Sequence, residues 1–324
     1  MDEGTSKAVD GVSFDVERGQ VVGIVGESGC GKSVTIKSIL GIVQKPGEII
    51  GGEILYRHSS SAEDGEPIDL TKLDKFGSEM RSIRGNEIAL IPQEPMAALS
   101  TVHTIGNQLV EAIRLHRELS KQEAEEIAIA QMRDVGVPKP EERMGAYSWE
   151  LSGGLRQRIM IVMALLCGPR LLIADEPTTA IDVTTQAQVL NLLRDLQKQQ
   201  DLAMIFITHD LGVIAQIADY VVVMYLGRVM EKGPVDDIFH NPQHPYTKAL
   251  LASIPTIHTG SRELLPTIGG SIPHPFNRPS GCPFFPRCAA FVAGKCDQRT
   301  PALTAVNERQ SVSCFLNSDA AEEE

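Results

Sequence analysis

The residues best suited to chemistry are Gly26, Glu27, Ser28, Gly29, Cys30, Gly31, Lys32 and Ser33, which spell G-x-x-x-x-G-K-S. An apolar, β-branched run (Val21–Val25) leads in, and a helix-like stretch from Ser33 through Val34 to Leu40 leads out. Glycines at this spacing let the backbone turn tightly enough to aim successive N–H groups at a phosphate, and the following helix N-terminus adds partial positive charge. Lys32 supplies a full charge for β- and γ-phosphates, and the Ser33 hydroxyl can ligate Mg²⁺. A glycine-rich turn that merely precedes a helix would account for two glycines, but not for the whole pattern in this setting.

A second group of reactive side chains lies further along. Asp175 ends the apolar run Leu171–Ala174 and is followed by Glu176. An aspartate there can hold Mg²⁺ directly or through water, and a carboxylate next to it can orient and polarise an attacking water. His209 follows a further apolar run in I-F-I-T-H-D, where a γ-phosphate would sit, and Gln93 follows I-P, where it can complete Mg²⁺ coordination. Leu151–Arg158 reads L-S-G-G-L-R-Q-R: Ser152 caps a helix, and Ser152, Gly153 and Gly154 offer a second anion site at its N-terminus.

These residues need elements to position them. Apolar runs at Val21–Val25, Glu87–Ile91, Leu171–Ala174, Met204–Thr208 and Tyr220–Tyr225 read as strands, and a further short strand is expected within residues 8–16. Helical stretches at Ser152–Leu166, Thr184–Gln200 and Leu211–Ala218 alternate with them. The alternation predicts an α/β fold with a mainly parallel sheet, whose ligand residues gather at the carboxyl ends of strands. Gly51–Tyr56 reads as an exposed strand, and Ser59–Gly65 as a polar loop. From Thr104 to Val135 the spacing of Ile105, Leu109, Ile113, Leu115, Ile127, Ile129 and Met132 is helical. We read a helical subdomain over about residues 95–165. After Gly233-Pro234, prolines crowd the chain, which divides it into 1–234 and a loop-rich extension over 235–324.

Composition excludes several classes. The 324 residues suffice for two or three units. Net charge is −12, with Glu322–Glu324 the concentrated acidic run, a balance that disfavours nucleic acid as a partner. The longest apolar run, Ile159–Cys167, has nine residues, against roughly 20 for a bilayer span. MDEGTSKAVDG has neither a basic nor an apolar signal region, so no signal peptide is expected. Of six cysteines, Cys282, Cys288, Cys296 and Cys314 are spaced C-x5-C-x7-C-x17-C. A reducing cytoplasm disfavours disulfides, and four thiolates suit Zn²⁺ or a [4Fe–4S] cluster; spacing does not choose between them. Cys30 and Cys167 read as a loop residue and a core residue.

Taken in order, the motifs resemble the ATP-binding-cassette (ABC) family over nearly the whole chain. Gly26–Ser33 is similar to its Walker A, Gln93 to its Q-loop residue, Leu151–Leu155 to its signature and Leu171–Asp175 to its Walker B. Glu176 matches the catalytic glutamate, Thr179–Asp182 the D-loop and His209 the switch histidine. The resemblance implies an ATPase using ATP and Mg²⁺, with Gly26–Val34, Gln93, Asp175, Ser152–Gly154 and Asp182 around nucleotide sandwiched between two subunits. It leaves the adenine contact unassigned, since no aromatic residue precedes Phe14.

D-E-P-T-T-A-I-D-V-T-T-Q-A-Q, N-P-x-H-P-Y-T-K-A-L-L and G-C-P-F-F-P-R-C resemble the oligopeptide/dipeptide/nickel importer subfamily. That resemblance implies a second, distinct ATPase subunit, two transmembrane permease subunits, an extracellular substrate-binding protein and a peripheral place on the cytoplasmic face of the membrane. It also implies a [4Fe–4S] cluster on the four C-terminal cysteines. Alternatives are a nickel or oligosaccharide importer, or a soluble ABC ATPase outside transport. A non-catalytic cassette would lack Glu176 or His209.

Overall fold

The structure is a computed structural model that describes residues 5–57, 66–94, 98–178, 182–254 and 268–318. Ser59–Gly65, Pro95, the D-loop residues Thr179–Ile181 and the Glu322–Glu324 run lie outside them. In chain order the strands are β1 (Val21–Val25), β2 (Leu55–Tyr56), β3 (Ile68–Asp69), β4 (Ile88–Ile91), β5 (Leu171–Asp175), β6 (Ala203–Ile207), β7 (Tyr220–Tyr225), β8 (Arg228–Pro234), β9 (Thr304–Ala305) and β10 (Ser311–Val312). The chain divides into two compact units. One comprises Met1–Asp15, Val21–Thr35 and Thr208–Glu324, the other Val16–Gln20 and Ile36–Ile207.

In the first unit β1 runs parallel to β7, with Val22 opposite Tyr220 and Val25 opposite Val223. β7 turns back on β8 antiparallel, with an irregularity after Val223, and β10 and β9 extend the sheet beyond β8. Every residue of β1 is buried, as expected of a strand covered on both faces. Helix Leu211–Ile217 packs close to β1, since a Cβ at Gly23 would fall 2.8 Å from an Ile214 methyl. Asp210 caps that helix by accepting from the Gly212 and Val213 N–H groups.

In the second unit β4, β5 and β6 pair in parallel, with Ile91 opposite Ala174 and Asp175 opposite Ile207. The fold is thus mixed α/β with its long apolar strands in parallel. Helices Ile105–Arg114 and Lys121–Asp134 begin at Thr104 and Ser120, the latter a capping box with Glu123. Helix Gly153–Leu165 begins at Ser152, and helix Val183–Gln200 at Asp182. Gln197 Nε2 donates to Gly19 O at 2.5 Å, fixing the turn before β1.

Several expectations need correction. Residues 10–16 alternate half-buried and exposed, but no strand forms; Asp10 N–H bonds to Gly227 O without a ladder continuing from it. The exposed strand shrinks to Leu55–Tyr56, paired antiparallel with Ile68–Asp69. The second helix of the helical stretch buries Ala124, Ala128 and Met132 rather than Ile127 and Ile129, and Leu115 is 73% exposed. Spacing alone ranked the larger side chains above the alanines that make close packing possible.

The C-terminal extension carries more order than its prolines suggest. The Glu231 carboxylate is fully buried and accepts from Gln243 N–H at 2.7 Å, His244 N–H at 3.0 Å and Gln310 Nε2 at 2.8 Å. These charge-assisted bonds tie helix Pro245–Ala252 and β10's approach to β8. His244 Nδ1 in turn accepts from Tyr246 N–H at 2.9 Å. Tyr225, Tyr246 and Phe284 form an aromatic cluster with centroids 4.8–5.4 Å apart.

Burial drives the His244 pKa down to about 3, so the folded protein holds it neutral where the unfolded chain would protonate it. The unfolded state therefore binds more protons between about pH 6.5 and 3, and stability falls as pH falls through that window. His244→Asn keeps an acceptor for the Tyr246 N–H but cannot titrate. Its melting temperature is expected to drop less between pH 7 and pH 4.5 than that of the natural protein, as read by thermal unfolding at stepped pH.

Candidate functional site

The phosphate loop belongs to the first unit, between β1 and helix Lys32–Ile39. It passes so near other backbone that side chains are excluded at two positions. A Cβ at Gly26 would lie 2.1 Å from Met224 O, and one at Gly31, where φ is +103°, would lie 2.4 Å from Ala8 O. These approaches explain why the glycines stand where they do. Gly227 N–H donates to Cys30 O at 2.8 Å, and Cys30 N–H to Glu27 O at 3.2 Å, closing the loop on itself. Lys32 is buried, its ammonium donating to Gly26 O at 2.8 Å and Glu27 O at 3.2 Å. A full positive charge thus sits inside the curl of the loop. Ser28 and Gly29 lie exposed on the rim; Ser33 and Val34 are half-buried in the first helical turn. Burial pushes the Cys30 thiol up, keeping it in the neutral form.

His209 belongs to the same unit, two residues beyond the end of β6, and its side chain is exposed. Thr208 beside it is buried, its Oγ1 accepting from the Asp210 N–H at 3.0 Å.

The remaining motif residues lie in the second unit. Register places Ile91 of β4 beside Ala174 of β5, so Gln93 and the Asp175–Glu176 pair leave the carboxyl ends of neighbouring strands. Asp175 is buried, Glu176 half-buried and Gln93 exposed. Glu176 has φ +47°, in the left-handed region that a residue with a Cβ enters at a cost of about 1–3 kcal/mol. Its N–H donates to Ile207 O at 2.9 Å, which fixes the unusual conformation from the β6 side. Ser152 is exposed and caps its helix by accepting from the Leu155 N–H, with Gly153 and Gly154 in the first turn. Asp182 is likewise a cap: it accepts from Thr185 N–H at 2.9 Å and Thr185 Oγ1 at 2.7 Å, which lowers its pKa.

Sequence reasoning missed four residues that hold these groups. Gln157 in the signature helix is buried and donates through Nε2 to Pro177 O, bracing the turn after Glu176. Its position in L-S-G-G-L-R-Q-R gave it away only as a helix residue. Of the other three, Tyr246 and Arg287 touch the phosphate loop, and Asp10 lies on the segment beside it. Tyr246 Oη accepts the Glu27 N–H at 3.0 Å, Arg287 pairs with the Glu27 carboxylate, and Asp10 is held by Arg228 and Arg278, each at 2.8 Å. Tyr246 and Arg287 stand in the H-P-Y and F-P-R-C stretches noted in the sequence. Nothing in those letters pointed toward residue 27.

Of the four C-terminal cysteines, Cys282 and Cys296 meet through the backbone. Cys282 N–H donates to Cys296 O at 2.8 Å, and burial, with the charge of the other three thiols, pushes the Cys282 thiol up to about 11. The donor set is soft, as an iron–sulfur or zinc centre requires. Yet among the described residues no three or more His, Cys, Asp or Glu side chains surround a common point as metal ligands would. The expected cluster is therefore matched in donor type but not in side-chain geometry.

A phosphate loop with its buried lysine, together with a strand-end carboxylate pair on a parallel α/β fold, defines a P-loop nucleotide-binding protein. The family model described as ABC transporter matches residues 9–179, and that described as oligopeptide/dipeptide transporter, C-terminal region, matches residues 230–296. The chain is 47% identical over 320 residues to the dipeptide transport ATP-binding protein DppD of Bacillus subtilis, spanning 98% of this chain and 92% of that one. It is 46% identical over 318 residues to the oligopeptide transport ATP-binding protein AppD of the same organism, spanning 98% and 93%. Its fold is like that of the bacterial ABC transporter cassette MJ0796, solved as a dimer, with TM-score 0.61 at 24% identity over 72% of this chain and 94% of that one. The chain belongs to the ABC transporter family and is an ATPase of that class. No helix among the described residues is long and apolar enough to cross a membrane.

Gly31→Ala puts a methyl group against Ala8 O in a backbone region that disfavours it. The variant is expected to lose about 1–3 kcal/mol of stability and to bind MgATP at least about tenfold more weakly. Thermal unfolding and a nucleotide titration would check both.

Proposed function

We propose that this chain is the ATP-hydrolysing subunit of an importer that carries di- or oligopeptides across the cytoplasmic membrane. The observation that carries the reading is the strained Glu176 beside buried Asp175, at the end of a strand in a protein that also holds a lysine-bearing phosphate loop. Peptide cargo is supported by the C-terminal region model and by the printed names of the dipeptide and oligopeptide relatives. The working division is an ATPase domain over 1–234, with a helical subdomain at about 95–165, and an extension over 235–324.

In this reading Gly26–Val34 bind the β- and γ-phosphates through backbone N–H groups and Lys32. Ser33, Gln93 and Asp175 offer oxygen donors, which suit a hard cation such as Mg²⁺. The ion neutralises phosphate charge when bound. Glu176 accepts a hydrogen bond from the attacking water and aims it, and His209 contacts the terminal phosphate. Ser152, Gly153 and Gly154 face nucleotide held by a second ATPase subunit, a related but distinct chain, and Asp182 lies at that junction. Two permease subunits and an extracellular substrate-binding protein complete the assembly, with this chain peripheral on the cytoplasmic face.

Glu176→Gln is expected to cut MgATP hydrolysis by about 10²–10⁴-fold while ATP-driven pairing of the ATPase subunits persists. Hydrolysis at the natural rate in that variant would remove Glu176 from the mechanism. The finer part of the proposal is a [4Fe–4S] cluster on Cys282, Cys288, Cys296 and Cys314, supported by the soft four-thiol donor set and the Cys282–Cys296 backbone contact. Protein purified without oxygen is expected to be brown, with broad visible absorption and iron and sulfide in equal amounts. A colourless preparation, with zinc or with no metal, overturns it.

A further inference from the structure

Glu27 puts a carboxylate into the phosphate loop, where a polyanion binds. In this protein it does not face the loop's interior uncompensated. Arg287 Nη1 donates to Glu27 Oε2 at 2.6 Å and Nη2 to Oε1 at 3.0 Å, a bidentate pair in which the arginine side chain is only 4% exposed. The guanidinium is fixed from every other side. It donates to Gly269 O at 3.0 Å, Ile268 O at 3.3 Å and Tyr225 Oη at 3.2 Å, and it lies over the Tyr225 ring. The Glu27 main chain is held too, since its N–H is given to Tyr246 Oη.

Arg287 is not part of the nucleotide machinery assigned above. It belongs to a tight turn, Phe285–Arg287, bracketed by Cys282 and Cys288. The turn is anchored by Arg287 N–H to Phe284 O and by Phe284 packing on Tyr225 and Tyr246. A second arginine of the same extension reaches the Asp10 segment beside the loop. Arg278 pairs with Asp10 at 2.8 Å and donates to Leu226 O, and Asp10 N–H bonds to Gly227 O beside the Gly31 approach. The Glu27 limb of the phosphate loop therefore rests on residues more than 200 positions later in the chain, and the neighbouring Asp10 segment is held by the same extension.

We propose that Arg287 is a positioning residue for nucleotide binding: by neutralising and holding Glu27 it keeps the phosphate loop receptive to a nucleoside triphosphate, so that affinity depends on the cysteine-bearing turn. The inference rests on the ATPase reading and adds to it a specific contact through which the extension sets nucleotide affinity. Without the guanidinium, the Glu27 carboxylate remains in a partly desolvated loop and repels the phosphates. Removing that carboxylate as well abolishes the repulsion.

The test is a calorimetric titration of the full chain with MgATP, with thermal unfolding run alongside. Arg287→Ala is expected to weaken binding by about tenfold or more, and adding Glu27→Gln to it to recover most of that loss. Arg287→Lys, which keeps a charge but not the fork, falls between. Natural affinity in Arg287→Ala overturns the proposal. So does a weakened Arg287→Ala that Glu27→Gln does not rescue, because the arginine then acts through packing alone. If the alanine variant does not fold, Arg287→Gln with and without Glu27→Gln gives the same comparison. Failure of the natural protein to bind MgATP would instead count against the ATPase reading.

Discussion

The close passage of the phosphate loop beneath two carbonyls, Met224 O and Ala8 O, is the constraint on which the rest of this structure depends. It fixes residues 26 and 31 as glycine, and it ties the loop's curvature to β7 and to the segment before β1. With that curvature set, Lys32 is held inside the loop by the Gly26 and Glu27 carbonyls. The charge is therefore in place before any ligand arrives, and its burial costs less because three loop atoms, counting the more distant Cys30 Sγ, share it. The parallel pairing of β1 with β7 supplies the rigid floor that makes such tolerances possible.

A second constraint acts at the carboxylate end of β5. Glu176 is held at positive φ by a hydrogen bond to Ile207 O, while the turn after it is braced by Gln157 from the signature helix. Local strain persists only where surrounding structure over-determines it. Here the over-determination comes from a neighbouring strand and from a helix whose own start, at Ser152, is a candidate anion site. The signature helix thus touches the carboxylate turn through one buried amide, which is a physical route by which movement of one would be felt by the other.

How much of this was legible in the sequence depends on whether the signal was local. The phosphate loop, β4 to β7 and the capped helices were readable, because glycine spacing, apolar runs and cap residues act over a few positions. The strand expected within residues 8–16 failed since local residue types do not supply the partner a ladder needs. Ile127 and Ile129 were ranked above Ala124 and Ala128 because spacing rewards size, whereas helix packing here needed small residues. The contacts of Glu27 with Tyr246 and Arg287 were invisible for another reason: they join residues more than 200 positions apart, and neither the loop nor the proline-rich extension marks its partner. The four cysteines lie between these cases, since their donor type is plain from the letters but their side-chain arrangement does not follow from spacing.

Charge explains why an extension should be tied to the loop at all. The protein carries a net charge of −12, yet its ligand is itself strongly anionic. Long-range field therefore opposes binding, and the site must rely on charges within a few ångströms, where low dielectric magnifies them. The loop brings one ammonium and a helix N-terminus, but also the carboxylate of Glu27, whose charge is of the opposite sign to the lysine's. Arg287 restores the balance, and it does so from a buried position where solvent screens the pair weakly. A lysine in its place would give a point charge without the fork that holds both carboxylate oxygens and without the stacking on Tyr225. The arginine, the tyrosines and Phe284 form one anchored group, so the geometry of the phosphate loop and the order of the C-terminal extension are two aspects of a single packed cluster.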